Sequence, residues 1–234
     1  MATPGFVGKI PSQGDFVHRR LPWEFIETWD AWLQAGMGSA REALGTAWLE
    51  HYLVAPVWRF LLPAGTSGNT GWIGLWFPSV DRVGRHFPLT LAAPIAAAQL
   101  HPSLLFTLDP WLTRIEEVAL EALNPKVTLE QLDTSLSQMI FSAPDTLPIV
   151  DTSRPASLSR VMHIPDALMA PALLARHPAL AASVSATNAY WHTWGTEAIP
   201  ATYLTTEGLP DPIWFSACLT GDWATCGVSP TTLS

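Results

Sequence analysis

Apolar residues along the chain first recur with a period of two, in a short run at Phe6-Val7-Gly8-Lys9-Ile10 that reads as a strand closed by Pro11 and the turn Ser12-Gln13-Gly14-Asp15. Pro22 then suits the first turn of a helix, where its missing N–H costs nothing. Phe25, Ile26, Trp29, Trp32 and Leu33 follow at helical spacing, with Glu24, Glu27 and Asp30 on the other faces. Gly36 and Gly38 predict a break, and Leu44, Trp48 and Tyr52 a second helix that starts near Ser39 and stops before Pro56.

Residues 57–62, apolar apart from Arg59, and the apolar run 72–77 read as strands on either side of a Gly/Ser/Thr/Asn-rich turn at 65–71, which predicts an antiparallel hairpin. After the loop 78–85, residues 87–95 read as a third strand. Short connections between the three favour a meander over parallel crossovers. From Asp109 the period returns to helical. Trp111, Ile115, Val118 and Ala122 share one face before Asn124-Pro125, and Thr128-x-x-Gln131 is a capping box ahead of Leu129, Leu132, Leu136, Met139 and Ile140. Residues 143–157, rich in proline and short polar residues, form the clearest internal break. Beyond them a short strand near 160–164, a helical stretch to about 176 and strands at 182–191, 198–205 and 213–219 are expected, with a turn at 208–211. The pattern is α+β, a mostly antiparallel sheet flanked by helices.

Composition narrows the function classes. Of 234 residues 48% are hydrophobic and 14% charged, and twelve are tryptophan, so a large aromatic core is available and disorder is excluded. The net charge of −8 is concentrated late: residues 118–234 carry four Lys/Arg against ten Asp/Glu. With no basic run to neutralise phosphates, nucleic acid is not expected as a partner. The opening residues show no basic and apolar signal pattern, and the longest stretch free of acidic and basic residues, 87–108, is interrupted by Pro88, Pro94 and Pro102. This argues for a buried strand followed by a turn, not a transmembrane segment. Cys218 and Cys226 are read as a reduced pair of small core residues.

The search for chemistry is mostly negative. Gly5-Phe-Val-Gly8-Lys9-Ile10 lacks the spacing and the Ser/Thr of a phosphate loop, no Gly-x-Ser-x-Gly elbow occurs, and no CxxC or HxxxH spacing supplies a metal site. No cofactor is expected. The densest polar segment is Ser79 to His86. Asp81 with Arg85 and His86 suits an acid–base or anion-binding site, and equally a buried ion-pair network that fixes the loop. Lys9 and Asp15 bracket the first turn, where Asp15 is expected to cap backbone N–H groups and Gly14 to take a positive φ.

In order, Gly8-Lys9-x-Pro11-x-x-Gly14-Asp15-Phe16, Trp29-Asp30-x-Trp32-Leu33, Trp48, Trp58-Arg59-Phe60 and the block Pro78-Ser79-Val80-Asp81-Arg82-Val83-Gly84-Arg85-x-Phe87-Pro88-Leu89 resemble the TagF (ImpM-like) family. Trp191, Trp194-Gly195, Gly208-Leu209-Pro210, Phe215 and Gly221-Asp222-Trp223 extend the similarity over nearly the whole chain. The resemblance implies a TagF-like N-terminal region over residues 1–145 and a C-terminal α+β extension over 146–234 that shares its sheet or forms a subdomain. It also implies a non-enzymatic cytoplasmic protein, a post-translational repressor of bacterial type VI secretion that binds a system component, above all the forkhead-associated scaffold protein. It supplies no catalytic residues. Lys9, Asp15, Ser79, Asp81, Arg82 and Arg85 carry its motifs as partner-binding or structural positions. An enzyme using the Asp81/Arg85/His86 loop on an anionic or phosphorylated ligand is the alternative. A dimer built on tryptophan-rich surface is a third reading, and the oligomeric state stays open.

Overall fold

The structure, a computed structural model, describes residues 2–141, 161–182, 185 and 187–234. In chain order the first elements are β1 (Gly5–Gly8), β2 (Val17–Arg19), α1 (Trp23–Leu44), α2 (Trp48–Val54), β3 (Trp58–Leu62), β4 (Gly71–Phe77) and β5 (Leu89–Ile95). Helices α3 (Leu104–Thr107), α4 (Asp109–Glu121) and α5 (Leu129–Ser137) follow. The remainder comprises β6 (Val161–His163), α6 (Pro171–Leu174), α7 (Pro178–Ala182), β7 (Asn188–Thr193), β8 (Thr202–Glu207), α8 (Phe215–Thr220) and β9 (Thr231–Thr232).

Among the described residues the nine strands belong to one sheet, ordered β2-β1-β5-β4-β3-β7-β8-β6-β9. Every pairing is antiparallel except β6 with β9. The predicted hairpin and meander are β3-β4-β5, with Leu61 opposite Ile73 and Gly74 opposite Ala92. Strands from residues 161–232 continue the same sheet through β3 and β7, where Phe60 faces Trp191. The predicted break at 143–157 and the 145/146 boundary lie outside the described residues.

Helices cover both faces, which is why β3 and β4 are buried at every position and read as near-continuous apolar runs, interrupted in β3 only by Arg59. Trp58, Phe60, Leu62, Trp72, Trp76 and Trp191 point toward α1, α2 and α8. Their alternates Leu61, Ile73, Leu75, Leu91 and Tyr203 point toward α3 to α7. At the centre of the first layer Trp29 lies 4.6 Å from the Phe60 ring and 4.9 Å from Trp32, and its indole N–H donates to Thr90 Oγ1 at 2.8 Å. Aromatic pairs of this kind add about 0.5–1.5 kcal/mol beyond the area they bury.

Three expectations are corrected. The glycines do not break α1, which runs through both to Gly45, whose φ of 54° ends it. Gly36 faces α8, where a Cβ would lie 2.6 Å from the Phe215 ring, so its role is close approach. Residues 213–219 form no strand. Asp211 accepts from the Ile213 N–H at 3.0 Å, Pro212 opens a helical turn, and α8 follows with Phe215 to Leu219 all buried, so no polar face revealed its period. Strand β7 starts at Asn188, and the expected stretch from 182 begins instead with the end of α7. Strand β2 and the short α3 were not anticipated. The capping box forms as predicted, with Thr128 Oγ1 accepting from Gln131 N–H and Gln131 Oε1 accepting from Thr128 N–H.

Candidate functional site

The two motif blocks meet at one end of the sheet. Lys9 directly follows β1, and the loop 78–88 joins β4 to β5, the strand that β1 pairs with. Gly8 makes the meeting possible: its φ is 139°, and a Cβ there would sit 2.1 Å from the Pro88 carbonyl oxygen. Ser79 Oγ then donates to the Lys9 carbonyl at 2.7 Å, and the Tyr52 hydroxyl donates to the Ser79 carbonyl at 3.0 Å. Burial pushes the Tyr52 phenol above its usual range, so it stays a neutral donor.

Asp81 is the hub, 3% exposed. Its Oδ1 accepts from the backbone N–H groups of Val83 and Arg85 at 3.0 and 2.9 Å. Its Oδ2 accepts from Lys9 Nζ at 2.8 Å and Arg85 Nε at 2.7 Å. Burial alone would raise this carboxyl, but the donors from Lys9, Arg85 and Val83 hold it well below the usual carboxylate range. The carboxylate therefore shapes its own loop, clamps Lys9 beneath it and orients Arg85 above it. Arg85 also donates to the Gly14 carbonyl, and Arg82 N–H donates to the Gln13 carbonyl at 2.8 Å, so the first turn is tied to the loop from both sides.

The structure thus joins Lys9, Ser79, Asp81 and Arg85 in one network and leaves the other motif residues at its rim. Asp15 is not the expected cap: its side chain is 99% exposed, 3.7 Å from Arg85. Gly14 takes no positive φ; its position leaves room for the Arg82 guanidinium, 3.3 Å from where a Cβ would stand. The Arg82 side chain is exposed and makes no hydrogen bond or ion pair with any described residue. His86 turns toward the rings of Trp48 and Tyr52, at 5.9 and 5.7 Å. Burial and the Arg41 charge lower its pKa against the opposing pull of Asp81.

Two features were missed from the sequence. Phe16, 51% exposed, lies edge-on to Phe87 with Lys9 Nζ 5.0 Å from its ring centre, and Val83, 66% exposed, crowns the loop. On the opposite face of the sheet Arg59, buried in β3, donates to Asp109 at 2.6 Å, Thr113 at 3.0 Å and Glu116 at 3.0 Å. A lone arginine in an apolar strand, and Asp109, Thr113 and Glu116 on one helix face, were the available signals. Among the described residues no group of three or more His, Cys, Asp or Glu could hold a metal ion, Cys218 and Cys226 are free, and no helix is long and apolar enough to cross a membrane.

A family model described as the TagF N-terminal domain, type VI secretion system-associated, matches residues 5–139. Among solved structures, that of PA0076 from Pseudomonas aeruginosa PAO1 is 34% identical in sequence, superposes with a TM-score of 0.74, and is matched over 94% of this chain and 95% of its own. No curated protein matches the chain.

Proposed function

The chain belongs to the TagF family, associated with type VI secretion, and from that premise we propose that it is a cytoplasmic, non-enzymatic negative regulator of the secretion system. It acts after translation by binding a system component, the forkhead-associated scaffold protein first among them. The observation that carries the non-enzymatic part is the saturation of Asp81. Two donors occupy each carboxylate oxygen, leaving no lone pair aimed outward to take a proton or orient a nucleophile.

The alternative, catalysis by Asp81, Arg85 and His86, meets a second difficulty. Asp81 is buried under Arg85, and His86 packs on aromatic rings, so the three do not converge on a common point where a substrate atom would sit. Presentation of a shaped loop is the use this arrangement supports.

The test is to raise the level of the chain in a bacterium with an active type VI system. We expect secretion and contact-dependent killing to fall while the abundance of the apparatus proteins stays constant, and the scaffold protein to co-purify with the chain. Unchanged killing at a verified high level of folded protein would sink the proposal.

A further inference from the structure

We propose that the rim of this network, Phe16, Arg82 and Val83, is the surface that holds the partner, and that it accepts an acidic segment flanked by apolar side chains. The inference rests on the binding role proposed above and divides the motif in two: Lys9, Ser79 and Asp81 build the platform, and the exposed residues make the contact.

Three observations carry it. First, Arg82 is an exposed cation whose side chain has no partner among the described residues; it is next in sequence to the exposed Val83, and its guanidinium lies against Gly14, two residues before the exposed Phe16. A guanidinium reads a carboxylate with two parallel hydrogen bonds, and arginine and aromatic residues dominate binding energy at protein contacts. Second, the loops are already rigid: the Asp81 hub, the Arg82-to-Gln13 bond and the Arg85-to-Gly14 bond fix them before any partner arrives. Pre-ordering lowers the entropy that binding must overcome. Third, the sign of charge is local. The whole chain carries −8, whereas at the rim Lys9 and Arg85 offset Asp81 and Asp15, leaving Arg82 in excess. An acidic partner is therefore steered to this end of the molecule.

The test uses the purified full chain with the forkhead-associated scaffold protein of its own secretion system as probe. Arg82→Glu and Val83→Glu each alter the rim without removing a described side-chain bond. Arg114→Glu, on α4 against the other face of the sheet, is the control. We expect wild-type affinity to fall with rising salt, the two rim variants to bind on the order of tenfold more weakly at unchanged thermal midpoint, and the control to bind as wild type. Rim variants that bind like wild type overturn the surface and leave the regulatory reading intact. If the wild type does not bind the scaffold, that partner is wrong, and the same variants are scored by killing in the cell: lost repression supports the rim, retained repression overturns it. A wild type that neither binds nor represses overturns both. Light scattering that shows a dimer abolished by Arg82→Glu assigns the rim to a second copy of the chain and overturns the proposal.

Discussion

The Lys9 ammonium and the Asp81 carboxylate lie 2.8 Å apart across 72 positions of sequence, both closed to solvent. Removing the charge of either partner leaves the other uncompensated in a buried site, whereas neutralising both removes that mismatch. Asp81→Asn, which keeps an acceptor oxygen for the Val83 and Arg85 N–H groups, and Lys9→Met should each lower the thermal midpoint, and the double change Lys9→Met/Asp81→Asn should cost less than the sum of the two. Single variants as stable as the wild type would show that the pair does not hold the loops.

The same carboxyl sets an acid limit. Its folded pKa lies below the unfolded value of 3.8, so the stability it contributes is complete above that value and is lost as pH falls further. Wild-type protein should lose stability steeply below about pH 4, and Asp81→Asn should be less steep over that range, as measured by denaturant midpoints across acidic buffers.

A gentler slope is expected nearer neutrality. His192 is fully buried between Phe106 and Trp194, and burial followed by the Arg59 charge keeps its imidazole neutral, with a pKa well below 6.5. The unfolded chain takes up that proton first, so stability falls as pH drops below about 6.5, by up to about 1.4 kcal/mol per pH unit for one such group. His192→Phe should flatten the pH dependence of unfolding between pH 5 and 6.5, by roughly one proton's share. An unchanged slope would exclude His192 as its source.

Gly36 and Gly38 make a matched pair on α1. A Cβ at Gly36 meets the Phe215 ring at 2.6 Å, while at Gly38 nothing stands within 4 Å. Gly38→Ala should stabilise by about 0.5–1 kcal/mol through helix propensity alone. In Gly36→Ala the same gain is outweighed by overpacking of about 1–3 kcal/mol, for a net loss. Thermal melts of the two variants moving in the same direction would contradict this reading.

Arg59 neutralises Asp109 and Glu116 from beneath α4 at 2% exposure. Arg59→Met should destabilise by about 1–3 kcal/mol, because two partly buried carboxylates lose their partner. Arg59→Lys should recover only part, since an ammonium cannot span both acids as the fork does. Urea unfolding of both variants checks the order.

Much of this molecule could be read before its structure was known. Largely apolar runs marked β3 and β4, the Thr128/Gln131 pair marked a helix start, and the ordered Gly-Lys and Asp-Arg blocks marked the family. What stayed hidden depended on partners distant in sequence. Gly36 looks like a helix breaker until Phe215 is seen across from it. The run from Ile213 is apolar on all sides because α8 is buried on all sides, which erases the period that separates helix from strand. Lys9 and Asp81 were both picked out, but only the register of β1 with β5 shows that they form one hub. Phe16 and Val83 stand inside those blocks, but their exposure could not be read from residue type.

The pairing of β3 with β7 has a consequence for how the protein is made. On the ribosome β3 emerges early, and its partner follows only after more than half the chain has been added. Until then a strand buried at all five positions in the finished fold offers one unpaired edge to its surroundings. The newborn protein therefore passes through a window in which it can stick to copies of itself, and translation speed and chaperone supply should govern its yield.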